Sequence, residues 1–429
     1  MKFVLVSFLV LVVLFLSLSC NEGYDYSQAA LGLDLQDYSC TEAWIEVQIG
    51  SNDKTANIYI KKNDEIIQTV NVGESETLFY FDGLLPNTTY KFDAVTYEDG
   101  KEVKSNPVTF TTLDTTSHNF TWQIFEFGQH SSSMLNDVTI INENDIWAVG
   151  EIYMNDSLGN PDPQRYNAIH WNGQIWELKR IKTLFRGNII TVPLEGIFAF
   201  SSTDIWMVGS LPIRGDGTNW TMYDIRATVD PNLSLSKAWG SSSNDIFFIG
   251  RTGSIARYQN GIWANIESGT ATNINDIWGA IDQSNNEQIV YGAVSFVAQT
   301  GDQKILKIQN NKVDSVHWNT GRRIHSVWSN NNIYLFAAGG GIFENKRGYW
   351  NEISKVPLYY SRNIRGIDNN NIFVCGDFGL FAHFNGVSWK TYNEIYIQGI
   401  YYSLSAKNNI VITVGFNGSK AIIIKGERN

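Results

Sequence analysis

A seven-residue string, Asn144-Asp145-Ile146-Trp147-Ala148-Val149-Gly150, returns again and again along this chain. It recurs as Thr203-Asp204-Ile205-Trp206-Met207-Val208-Gly209 and as Asn244-Asp245-Ile246-Phe247-Phe248-Ile249-Gly250. Weaker copies start at Gln288, Asn332, Asn371 and Asn409. Most copies lie about forty residues apart, the spacing of a small supersecondary unit that cannot bury its apolar face alone and must stack on its neighbours.

The surroundings of each copy define the unit. A short apolar segment precedes it, such as Leu135-Asn136-Asp137-Val138, Leu235-Ser236-Lys237-Ala238-Trp239 or Asn363-Ile364-Arg365-Gly366-Ile367. A third segment and a hairpin follow, as in Ile169-His170-Trp171-Asn172-Gly173, Arg257-Tyr258-Gln259-Asn260-Gly261 and His383-Phe384-Asn385-Gly386. Asn-Gly supplies the left-handed torsions of a tight hairpin, so each pair marks the turn between third and fourth strands. Four strands per repeat is a propeller blade. The copies predict a seven-bladed β-propeller over residues 119–429. The unit around Trp220 to Pro231 fits worst and is the one least able to supply a regular fourth strand.

The two ends of this region complement each other. Ala421-Ile422-Ile423-Ile424-Lys425 is a third strand with no fourth after it, whereas Phe120-Thr121-Trp122-Gln123-Ile124-Phe125 reads as a fourth strand without a blade. Pairing residues 119–127 with the C-terminal strand closes the ring and removes exposed strand edges. The repeats resemble the Asp-Ile-Trp…Gly units of exported bacterial propellers and, more distantly, the Asp-box and photosystem II assembly factor propellers. That resemblance implies the architecture. It implies no activity, because the Asp-box pattern S-x-D-x-G-x-x-W is not met.

Residues 33–113 read differently. Alternating runs at Trp44 to Ile49, Ala56 to Ile60, Ile66 to Val72, Thr77 to Phe81, Tyr90 to Thr96 and Val108 to Thr112 predict a β-sandwich. Within it, Leu84-Leu85-Pro86-Asn87-Thr88-Thr89-Tyr90 resembles the L-x-P-x-T-x-Y signature of fibronectin type III domains. The resemblance implies that the leucine plugs the core and that the tyrosine hydroxyl bonds back to the corner backbone. Residues 114–118 are the linker, and the whole chain is expected to be all-β.

At the start, Met1-Lys2 precedes an apolar run from Phe3 to Leu16 and then Ser17-Leu18-Ser19-Cys20. A basic start, a short apolar stretch and a small residue describe an export signal, here residues 1–19, and the run is too short to span a bilayer. Cys20 after Ser19 resembles the lipobox of bacterial lipoproteins, although Ser17 stands where that family prefers leucine. The resemblance implies acylation of Cys20, with residues 20–32 as a tether and the outer membrane or cell surface as the address. Simple secretion with Cys20 incidental is the other reading.

Charge narrows the partners. The chain has 43 acidic and 32 basic residues, net −11, with no basic run, so nucleic acid and anionic membrane surfaces are poor candidates. Cys20, Cys40 and Cys375 form no CxxC, and the six histidines show no metal-ligand spacing, so neither metal nor cofactor is expected. Trp147, Trp176, Trp206, Trp263, Trp350 and Trp389 occupy repeat positions and are expected to pack between blades. Asp145, Asp204 and Asp245 open second strands, where an aspartate is expected to bond turn amides. His170, Arg257 and His383 share one repeat position.

Residues that the repeat does not dictate are better binding candidates. Long insertions in the first two blades carry Tyr153, Asp162, Arg165, Tyr166, Arg186, Arg214, Asp216 and Trp220, and these are expected on one rim. The function expected is a non-catalytic cell-envelope lipoprotein that binds or scaffolds protein or polysaccharide through the propeller face. The alternative is a glycan-active enzyme, a sialidase-like hydrolase or a lyase, which requires arginines and carboxylates converging on the channel mouth.

Overall fold

The computed structural model describes residues 31–49, 57–71, 78–98, 100–282, 287–296, 302–331, 333–346 and 348–429. Residues 1–19, expected to be an export signal, and Cys20 lie outside them. Regular structure among these residues is strand, apart from the short 3₁₀ turns Arg251–Gly253 and Asn393–Ile395. The described residues divide into two compact units, one drawn from 31–34, 46–71 and 91–108, the other from 35–45, 78–90 and 109–429.

Before residue 112 the strands form two sheets. One orders Leu31–Tyr38, Ala43–Ile49 and Leu78–Phe81; the other runs Glu65–Asn71, Asn57–Lys62, Thr89–Glu98, Lys101–Lys104, with Val108–Thr111 also on Thr89–Glu98. Tyr90, in the Pro86 corner, accepts a hydrogen bond on its hydroxyl from the Leu85 amide at 2.9 Å. Leu84 is buried beside it in sequence.

From residue 120 onward the described strands form seven antiparallel four-stranded sheets and one separate two-stranded hairpin. The first holds Met134–Asn142, Asp145–Ile152, Tyr166–Trp171 and Trp176–Lys179, and the third holds Leu235–Ser242, Asp245–Gly250, Ile255–Gln259 and Ile262–Asn265. The second is Gly196–Ser201, Asp204–Val208, Pro212–Gly215 and a three-residue fourth strand, Trp220–Met222, so this unit does complete its sheet. The fourth, fifth and sixth sheets open with Ile274–Asp282, Ile324–Ser329 and Ser361–Asp368. The seventh orders Ile400–Lys407, Ile410–Asn417, Lys420–Arg428 and then Phe120–Phe127, with Ile424 opposite Ile124 and Arg428 opposite Phe120. First strands of consecutive sheets touch in succession, and that of the seventh touches that of the first.

Second strands are covered on both faces by neighbouring sheets, which is why Asp204–Val208 is buried at every position and reads as a continuous apolar run. Trp206 is fully buried among Val208, Leu233, Leu235 and Phe248, bridging the second and third sheets, and Trp147 does the same between the first and second. Asn-Gly turns take the torsions expected of them, with φ of 92° at Gly173, 86° at Gly261 and 97° at Gly386.

The glycine that ends the repeat string has a steric cause. Gly150, Gly250, Gly339, Gly376 and Gly415 each lie where a methyl would overlap a main-chain carbonyl at the start of the adjacent first strand or just before it, that of Met134, Ser234, Arg323, Tyr360 or Ile400. The first strand bulges over each of them: register slips between Leu135 and Asp137, Leu235 and Lys237, Ile324 and Ser326, Ser361 and Asn363, and Tyr401 and Ser403. Gly250→Ala therefore forces backbone apart rather than a flexible side chain. It is expected to lower stability by about 3 kcal/mol or more in urea unfolding. A loss below about 1 kcal/mol would show that the bulge does not press on this residue.

Candidate functional site

The bulges build the site. Each inserts one residue near the start of a first strand: Asn136, Ser236, Asn275, His325, Arg362 and Tyr402. All but Arg362 line a cavity of about 390 Å³, together with Glu151 and Gly250 from the ends of second strands and Pro193, Glu195 and Asn273 from the loops between sheets. The cavity thus opens on the face where second-to-third-strand loops and inter-sheet loops gather. Beneath it the first strands surround a narrower cavity of about 100 Å³.

The residue after each bulge turns the other way and ties adjacent first strands together. Asp137 accepts the Ile197 amide at 3.0 Å and Asp276 accepts the Val327 amide at 3.2 Å. Ser326 accepts the Ile364 amide at 3.1 Å, and Asn363 accepts the Leu404 amide at 3.2 Å. Ser403 donates to Asp137 at 2.6 Å. Two ion pairs cross the axis as well: Lys237 reaches Asp137 at 2.9 Å, and Arg365 reaches Asp276 at 2.6 Å. Burial opposes the charge on Asp276, but Arg365 and a hydrogen bond from Ser326 outweigh it and hold the carboxyl below its usual range. These links form the floor of the mouth.

Charges around the mouth are already matched. Glu195 takes both its bonds from Arg251, at 2.9 and 3.0 Å. Glu151 accepts from Tyr153 at 2.7 Å and from Arg165 at 3.0 Å. Arg362 pairs with Asp377 at 2.7 Å. Among the described residues no group of His, Cys, Asp or Glu could hold a metal ion. Burial pushes the Cys375 thiol up to about 12 and that of Cys40 up to about 11, far from a nucleophilic thiolate at neutral pH.

Of the eight residues that the insertions single out, five lie on the mouth face. Tyr153 and Arg165 meet at Glu151 and so act on the cavity through it. Asp162 binds Arg180, whose guanidinium lies 3.9 Å over the Tyr166 ring. Arg186 sits at the turn of a hairpin, Thr183–Phe185 with Asn188–Ile190, and reaches Asp224 at 2.8 Å. Arg214, Asp216 and Trp220 belong elsewhere. They lie on the third and fourth strands of the second sheet and on the turn joining them, which is at the opposite end from the mouth. Asp216 caps that turn by accepting the Thr218 and Asn219 amides, and Trp220 packs edge-on against Trp147.

The repeat aspartates do not bond turn amides. Each holds a side chain of the third strand against the aromatic ring of the second. Asp145 binds His170, stacked on Trp147 at 4.3 Å. Asp204 binds Arg214 over Trp206, and Asp245 binds Arg257 over Phe247. The sixth sheet substitutes Asn371 and His383, with His383 stacked on Phe373. This explains the shared repeat position of His170, Arg257 and His383.

Neither a protein-family model nor a curated protein matches the sequence. Solved structures do. YCF48 bound to D1 peptide aligns with a TM-score of 0.54 at 14% identity, covering 73% of this chain and 99% of its own. YCF48 from Cyanidioschyzon merolae aligns at 0.48 with 15% identity, covering 71% and 98%. Saccharomyces cerevisiae Sqt1 aligns at 0.44 with 11% identity, covering 71% and 98%. Identities this low speak to fold alone. With the four-stranded sheets described above, the first of them places this chain among the β-propellers.

Three histidines make the fold acid-sensitive. Burial, seconded by Arg362, lowers His325 to about 3. Burial and neighbouring His118 lower His383 to about 2, and burial and Lys390 lower His118. The rings of His118 and His383 meet nitrogen to nitrogen at 2.8 Å, a contact that needs one proton between them. Each imidazole takes a proton more readily unfolded, near 6.5, than folded. Their contribution is therefore fully present above that pH and is lost as pH falls from 6.5 toward the folded values. Asp37, raised by burial to about 6, pulls the opposite way over part of the interval. The urea midpoint is expected to be flat above about pH 7 and to fall between about 6 and 4. His383→Gln should make that fall shallower, and an unchanged slope would contradict the assignment.

Proposed function

We propose that the chain is an exported, non-catalytic binding or scaffolding protein that holds a protein partner on the mouth face of its propeller. One observation carries the reading. A polar cavity whose charges are all internally paired is surrounded by loops that expose large apolar side chains. Leu158, Leu184, Ile189, Leu358 and Phe378 are each more than half exposed. Exposed apolar groups gathered around a concave site mark an interaction surface. That YCF48 has been seen with a bound D1 peptide fits a protein ligand.

The glycan-active alternative draws less support. A hydrolase of that kind needs arginines free to meet a substrate carboxylate, and Arg165, Arg251 and Arg362 are each held by an acidic neighbour. In this reading the pairing of Phe120–Phe127 with Lys420–Arg428 closes a seven-bladed ring, which buries an edge that would otherwise be open to other chains. Residues 33–113 serve as a fibronectin type III-like module, a reading supported by the Tyr90 hydroxyl at the Pro86 corner. Acylation at Cys20 then anchors the protein to the envelope, since two or more acyl chains are enough for stable attachment.

Two measurements test this. Cys20→Ser should move the protein from the membrane to the soluble fraction, and continued dependence on detergent would contradict the anchor. For the mouth, Phe378→Arg places a charge beside Tyr359, whose ring lies 5.5 Å away. Partners crosslinked to the native protein in envelope extract should be lost from this variant while its melting temperature stays within about 2 °C, as expected of a surface change. An unchanged set of partners would remove the mouth face as the binding surface.

A further inference from the structure

The mouth cavity has a chemical preference that its lining residues define. Resting on the protein-binding reading above, we infer that it accepts an uncharged carboxamide, the side chain of an asparagine or glutamine from the partner, rather than a charged group.

The lining offers acceptors. Asn136 donates its amide to the Leu194 carbonyl at 2.9 Å, and Asn275 donates its own to the Ser295 carbonyl at 2.8 Å. Their carboxamide oxygens have no protein partner among the described residues. His325 lines the same cavity, and its Nδ1 is buried without a hydrogen-bond partner. A neutral imidazole carries one acceptor nitrogen whichever tautomer it adopts, and one donor. A buried polar atom left unpaired costs about 1–3 kcal/mol, and with neither ring nitrogen bonded among the described residues the fold leaves the hydrogen-bonding capacity of this imidazole unused. A primary carboxamide brings two N–H donors and one acceptor, which matches two amide oxygens and one imidazole.

Charge argues against the other occupants. An anion would need a free cation, and Arg251 and Lys237 are held by Glu195 and Asp137. A cation would need a free carboxylate, and Glu151 and Glu195 are held by arginines. The resistance of His325 to protonation points the same way: burial first, then Arg362, make the spot unfavourable to positive charge, with Asp276 opposing them only in part.

The test uses the full-length protein and saturation-transfer NMR with three small probes: N-acetylglutamine methylamide, N-acetylglutamate methylamide and N-acetyllysine methylamide. The glutamine probe should show transfer at millimolar concentration, and the two charged probes at least about tenfold less, a difference of about 1.4 kcal/mol. His325→Phe should abolish the glutamine signal while raising the melting temperature, because it removes the unpaired buried nitrogen. His325→Gln, which restores a donor as well as an acceptor, should retain part of the signal. Equal transfer to a charged probe, no transfer to the glutamine probe, or an undiminished signal in His325→Phe would each overturn the inference. The proposed protein-binding role is judged separately, by the crosslinking comparison with Phe378→Arg.

Discussion

Two side chains of successive residues face opposite ways at the start of the first strands, and much of the molecule depends on that reversal. A bulge places one residue at the mouth and turns the next toward the neighbouring sheet, where Asp137, Asp276, Ser326 and Asn363 each receive a main-chain amide. A carboxylate or hydroxyl crossing between sheets supplies direction where apolar packing alone would let sheets slide, since burial energy is non-directional. In the first, third, fifth, sixth and seventh sheets a glycine near the end of the facing second strand gives the bulge its room. The fourth sheet keeps its bulge opposite Val294, and the second sheet has no bulge at this register. In the second sheet Ile197 stands at the crossing position, and Lys237 of the third sheet reaches past it to Asp137.

The same reversal separates stability from function along the axis. Below the mouth, charges are buried in matched pairs; breaking one partner of such a pair typically costs about 3–5 kcal/mol. At the mouth, charges are also matched, but the inserted residues are left with unused hydrogen-bonding atoms. A site built this way recognises by hydrogen bonding and shape. Among the described residues that line it, Glu151 and Glu195 are held by Arg165 and Arg251. The buried imidazoles at His325 and His383 remain neutral at ordinary pH for the same reason that the mouth disfavours a cation.

Much of this was legible in residue order. The repeat string, the Asn-Gly turns and the tryptophans at fixed positions specify four strands per unit and the burial of Trp147 and Trp206 between sheets. The role of the terminal glycine was not legible, because a one-residue bulge leaves no mark on an alternating pattern. The polar pairs Asn136-Asp137, Ser236-Lys237 and Asn275-Asp276 were the available signal, each following an apolar residue at the same point of its unit. Partners of the repeat aspartates were hidden because His170 and Arg257 come from a different strand, twelve or more residues away. Arg214, Asp216 and Trp220 were grouped with the mouth because the second unit looks long after Gly209. In fact its third strand begins at Pro212, only three residues later, and the extra length falls at the other end.

If the crossings hold adjacent sheets together, they should be the last hydrogen bonds to open. Native-state hydrogen exchange on the amides of Ile197, Val327, Ile364 and Leu404 measures this directly. The account predicts that all four exchange only through global unfolding, with one common free energy and one common denaturant dependence equal to those of the whole propeller. Exchange of any of them through a smaller, local opening, while neighbouring strand amides stay protected, would contradict it.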